Sequence, residues 1–76
     1  MESKIMAILN EICGADDGEL EPDMDLFEMG LIDSFAVVQL LVMLEERCGV
    51  VLDIESLTRE EIATPAKIIG RVEAER

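Results

Sequence analysis

The chain has 76 residues, half of them hydrophobic, with 18 Asp and Glu against 6 Lys and Arg and a formal net charge of −12. This length holds one core, so a single domain over residues 1–76 is expected, and a domain this small buries only about 60% of the surface its unfolded chain exposes. The acidic excess excludes the basic footprint of a nucleic-acid binder and disfavours anionic membrane surfaces, while the hydrophobic half excludes disorder.

The first predicted element is a helix, with Ile5, Ile8, Leu9 and Ile12 recurring at i, i+3, i+4 and i+7 and Gly14 as its stop. Only Ile5 to Leu9 is continuously apolar near the N-terminus, and no small-residue cleavage site follows, so no secretory signal is expected. Residues 15–33 have no clear period. Asp16, Asp17, Gly18, Pro22, Asp23 and Asp25 mark turns, with Leu20, Leu26, Phe27, Leu31 and Ile32 as scattered anchors. A loop this long in a compact domain usually serves a function. Its acids miss the Asx-x-Asx-x-Asx-Gly frame of a calcium loop, so the expectation is a solvated acidic loop with no metal.

The second helix is predicted over Ser34 to Cys48, capped by Asp33 or Ser34 and ended by Gly49. Val50 to Ile54 would suit a short strand, but a lone strand has no pairing partner, so an extended connector is expected. Thr58-Arg59-Glu60-Glu61 fits a capping box and predicts a short third helix reaching Ala63. Thr64-Pro65 opens the last helix, whose buried residues are expected to be Ile68, Ile69 and Val72. The predicted fold is all-α: a four-helix bundle with a short third helix and a long acidic loop between helices one and two.

The chain has no histidine, so no Ser-His-Asp or Cys-His nucleophile can be assembled, and no catalytic residue is assigned. Cys13 and Cys48 alone cannot close a zinc site, nor do they make a disulfide framework; half-buried thiols in a reducing cytosol are expected. The longest apolar segment, Phe35 to Leu44, is about half a membrane span, which predicts a soluble cytoplasmic protein without membrane insertion. The charge points to a protein partner with a basic patch.

Every residue from Phe35 to Leu44 except Gln39 is apolar, more than one core-facing stripe can use. A helical wheel places Val37, Leu40, Leu41, Leu44 and Cys48 on one side and Ser34, Phe35, Val38, Gln39, Val42, Glu45 and Glu46 on the other. The first set, without charge, is the predicted core face. The second mixes apolar and acidic residues, as an interaction surface does, unless neighbouring elements cover Phe35 and Val38. Ser34 stands where backbone N–H groups favour an anion, so a phosphate ester on it would be well placed; position alone favours the plainer reading of a capping serine. With no base nearby, Ser34 is a poor nucleophile by itself, so chemistry on it falls to another protein.

The run Leu26-Phe27-Glu28-Met29-Gly30-Leu31-Ile32-Asp33-Ser34-Phe35 resembles the phosphopantetheine attachment segment of the acyl carrier proteins, whose hallmark is Asp-Ser before a large apolar residue. Phe35, Gly30-Leu31-Ile32, Val37-Val38-Gln39-Leu40-Leu41 and Thr64-Pro65 look most like the D-alanyl carriers of that family, and the resemblance runs from Ile5 to Val72. It implies that Ser34 receives 4'-phosphopantetheine from coenzyme A through a separate magnesium-dependent phosphopantetheinyl transferase. The arm's thiol then holds an acyl or aminoacyl cargo as a thioester, in the D-alanyl carriers D-alanine destined for teichoic acids. The resemblance further implies a monomeric carrier, not an enzyme, served by an adenylating ligase and acyl-transfer enzymes with basic surfaces. These partners would meet Asp33, Phe35, Val38, Gln39, Val42, Glu45 and Glu46. Ala36 and Gln39 stand where fatty-acid carriers usually have acids, and many D-alanyl carriers have Gly in place of Ala36. Two alternatives stay open: an acyl or peptidyl carrier of a fatty-acid, polyketide or nonribosomal peptide pathway, and an unmodified helical adaptor.

Overall fold

Ile5, Ile8 and Leu9 make the buried stripe of the first helix, α1 (Glu2–Cys13), in the computed structural model, which describes residues 2–75. They pack against Val37, Leu40 and Leu44 of α2 (Ser34–Cys48) and against Ile68 and Val72 of α3 (Pro65–Glu75). Two single 3₁₀ turns, Ile54–Ser56 and Glu60–Ile62, lie between α2 and α3, and no strand forms among the described residues. Each fully buried Leu or Ile contributes about 1.5–3 kcal/mol, so these helix stripes supply most of the apolar stabilisation.

Local chemistry sets the ends of α2. Asp33 has extended backbone (φ −137°, ψ −172°), and its side chain accepts a hydrogen bond from the Ala36 N–H at 2.9 Å. This satisfies one of the orphan donors of the first turn and identifies Asp33, not Ser34, as the cap. At the other end Gly49 takes φ +68° and donates its N–H to the Glu45 carbonyl at 3.1 Å, a left-handed cap that a side chain would strain. α3 starts as the sequence predicts: Pro65 occupies its first position, and the Thr64 hydroxyl accepts from the Lys67 N–H at 3.2 Å. Leu41, Cys48 and Ile69, expected in the core, are half-buried at its edge.

The expected four-helix bundle does not form. The all-α class stands, but the predicted third helix, Thr58 to Ala63, is one 3₁₀ turn. Its bonds run from Glu61 N–H to the Thr58 carbonyl (3.1 Å), Ile62 to Arg59 (3.3 Å) and Ala63 to Glu60 (3.4 Å), all of the i→i−3 kind. Too few residues precede Pro65 to nucleate an α-helix, and the proline lacks an N–H to extend one. The capping residues still pair: the Thr58 hydroxyl accepts from the Glu61 N–H at 3.3 Å and donates to its carboxylate at 3.2 Å.

Residues 15–33 contain no helix, yet they are fastened down. Leu20, Leu26 and Ile32 are buried in the common core. The Leu26 N–H donates to the Ala63 carbonyl at 2.8 Å, and the Pro22 carbonyl accepts from the Ala66 N–H at 3.0 Å. Asp25 folds the next turn by accepting from the Phe27 and Glu28 N–H groups, both at 3.0 Å. Exposed ion pairs finish the surface: Arg47 meets Glu11 at 2.9 Å, joining the last turns of α2 and α1, and Arg71 meets Glu61 and Glu75.

Candidate functional site

Because the Asp33 carboxylate occupies the capping position, the Ser34 hydroxyl is released from that task. Ser34 is exposed at the first position of α2, and its hydroxyl has no hydrogen-bond partner among the described residues. Its surroundings carry the free N–H groups and positive end of a 15-residue helix, which favour an anionic ester. A hydroxyl left unengaged in such a place fits a phosphate group well.

Ser34 also stands on an open cleft of about 570 Å³. One wall is the end of the long loop, with Phe27, Gly30 and Ile32; the second is the start of α2, with Asp33, Ser34 and Val37. The third is the connector and its 3₁₀ turns, with Ile54, Leu57, Thr58, Arg59 and Ile62. Gly30 takes φ +71°, a conformation strained for other residues, where the loop turns back toward Asp33. The Arg59 guanidinium lies 4.5 Å from the centre of the Phe27 ring, a cation–π contact joining the first wall to the third.

The remaining residues singled out from the sequence lie along the exposed face of α2. Phe35 is 71% exposed, Val38 48% and Val42 49%, and neither the loop nor a helix covers them. Gln39, Glu45 and Glu46 are exposed as well. At 1.5 Å per residue, Glu45 lies about 16 Å along the axis from Ser34, so these residues form a stripe rather than one cluster. Sequence reasoning missed the neighbouring exposed apolar residues Met29, Val51 and Ile54, and the Arg59–Phe27 contact. For the connector a signal existed. In extended chain alternate side chains point opposite ways, and here Val50 and Leu52 are buried while Val51 is exposed.

The two thiols are free and half-buried, and burial pushes the Cys13 thiol above its ordinary value, which keeps it protonated and a weak nucleophile near neutrality. No group of three or more acidic or thiol side chains converges to hold a metal ion among the described residues, and no helix there is long and apolar enough to cross a membrane.

Residues 3–72 match the family described as Phosphopantetheine attachment site. The chain is 40% identical over 74 residues to the D-alanyl carrier protein of Enterococcus faecalis, covering 97% of this chain and 95% of that one. Against the D-alanyl carrier protein of Bacillus cereus it is 40% identical over 72 residues, with 95% and 91% covered. Against that of Bacillus velezensis it is 37% identical over 71 residues, with 93% and 91% covered. With matches over nearly its whole length, the chain belongs to the phosphopantetheine attachment family and is a carrier protein.

Proposed function

We propose that Ser34 is the attachment residue and that the chain carries D-alanine. The observation that supports Ser34 most directly is the division of labour at the start of α2, where Asp33 caps the helix and leaves the adjacent hydroxyl exposed and unengaged. The D-alanine reading rests on the names of the relatives, similar over nearly their whole length. When bound, 4'-phosphopantetheine supplies an arm whose terminal thiol takes the cargo as a thioester. Ser34 provides the oxygen for the ester bond, and the helix N-terminus stabilises the negative charge beside it. The chain has no histidine, the Asp33 carboxylate is engaged with the Ala36 N–H, and the Ser34 hydroxyl meets no carboxylate among the described residues. The base that takes the Ser34 proton is therefore assigned to the transferase. The chain itself acts as the substrate of other enzymes and not as a catalyst.

The exposed stripe Phe35, Val38 and Val42, bordered by Asp33, Gln39, Glu45 and Glu46, has the apolar centre and charged rim of a docking face. Its acidic border suits partners with basic rims: the phosphopantetheinyl transferase, an ATP-dependent adenylating ligase and the enzyme that accepts the cargo. A chain that meets coenzyme A and ATP works in the cytoplasm.

Intact mass after incubation with coenzyme A and a phosphopantetheinyl transferase tests the site. One added phosphopantetheine on the wild type and none on Ser34→Ala is expected; labelling of Ser34→Ala, for example at Ser56, overturns the assignment. Loading the modified chain with adenylating ligase, ATP and either D-alanine, L-alanine or a fatty acid tests the cargo. Mass gain with D-alanine alone is expected, and preference for either competitor overturns that part.

A further inference from the structure

Of the cations in the described residues, Arg47 is paired with Glu11 and Arg71 with Glu61 and Glu75, while Lys4 and Lys67 lie off the Ser34 cleft. Arg59 differs from all of them. It lines the cleft that Ser34 borders, it has no carboxylate partner among the described residues, and its guanidinium makes no hydrogen bond there. It is held instead over the Phe27 ring, which is itself half-buried against the core. In a chain of net charge −12, a guanidinium that meets no carboxylate among the described residues and rests on an aromatic ring is unusual.

We infer that Arg59 is the binding partner of the phosphate ester on Ser34, and that Phe27 is the platform that orients it. The inference rests on Ser34 being the attachment residue. A guanidinium resting on a ring keeps its N–H donors free, and those donors match two phosphate oxygens at once. A phosphodiester at Ser34 adds a negative charge next to Asp33, in a surface already dominated by carboxylates. Arg59 is the one described cation on the same cleft that can offset it. Because Arg59 lines the same cleft as Ser34, the pair directs the proximal part of the arm into that cleft, which Ile54, Leu57 and Ile62 also line, rather than along the exposed face of α2. Arg59 is thus a positioning residue for the arm and takes no part in bond making.

The test compares the unmodified and modified chain by nuclear magnetic resonance, with intact mass recorded on each sample. In the wild type, addition of the arm should shift the Arg59 Nε–H resonance and leave those of Arg47 and Arg71 in place. The phosphorus resonance should be displaced from its position in concentrated urea. Arg59→Gln should return it to that position, and Arg59→Lys, which keeps the charge without the fork, should give an intermediate shift. An Arg59 Nε–H that does not move in a chain of confirmed added mass overturns the inference and leaves Ser34 standing; this arm needs no variant to fold. A chain that gains no mass at Ser34 overturns both readings together.

Discussion

Two neighbouring side chains at the start of α2 are both good helix caps by type, and the structure gives the cap to only one. Asp33→Ala removes the acceptor at 2.9 Å from the Ala36 N–H and is expected to cost about 1 kcal/mol in a urea titration. Ser34→Ala touches no such bond and should stay within about 0.5 kcal/mol of the wild type. Equal losses at the two positions would mean that the cap is shared. Asp33 and Ser34 were not separable by sequence because a shift of one residue leaves either as a plausible cap. Burial of Ile32 on one side and Val37 on the other selects the register, and those are tertiary contacts. Arg59 was invisible for a similar reason: its meeting with Phe27 spans 32 positions of chain and obeys no local pattern.

Among the elements, α2 was the most legible and the segment after it the least. The period of α2 separates Leu44, fully buried, from Val42, 49% exposed, two positions away. Leu44→Ala should cost about 2–5 kcal/mol, a large share of a small domain's stability. Val42→Glu should leave the helical signal and melting temperature nearly unchanged while slowing turnover by partner enzymes. Equal destabilisation by both, read from thermal melts, would show that the exposed stripe is structural. The stretch Thr58 to Ala63 read as a helix because its capping residues are present and do pair. Capping preferences describe how a first turn begins, not whether a second follows. Here Pro65 and the fixed start of α3 leave no room for one.

For the whole molecule, the excess of negative charge works against the compact state. Eighteen carboxylates against six cations repel one another over a small body, and the exposed pairs of Arg47 and Arg71 offset little of this. Sodium chloride should therefore raise the melting temperature near pH 7 by screening the repulsion. Over the same titration, association with a basic partner enzyme should slow, because steering needs unscreened charge. An unchanged melting temperature and association rate would remove the acidic surface from both roles. The all-α class was readable from the period of the apolar residues. The cleft was not, since its walls come from three separate parts of the chain.

The bonds from Leu26 to Ala63 and from Ala66 to Pro22 bind a segment without helix to the start of α3. In terms of cooperative units, that segment and α3 are expected to open together. The Leu26 amide should exchange its hydrogen as slowly as the Ile68 amide, although only one of them lies in a helix. The exposed amides of Asp17 and Gly18 should exchange near the rate of an unstructured chain, and a Leu26 amide as fast as these would separate the two units. Since Phe27, Gly30 and Ile32 follow directly from Leu26, any enzyme that pries α3 loose dismantles one wall of the Ser34 cleft. A partner that grips α2 alone leaves that wall standing, so the side from which the carrier is held decides whether its cleft survives the encounter.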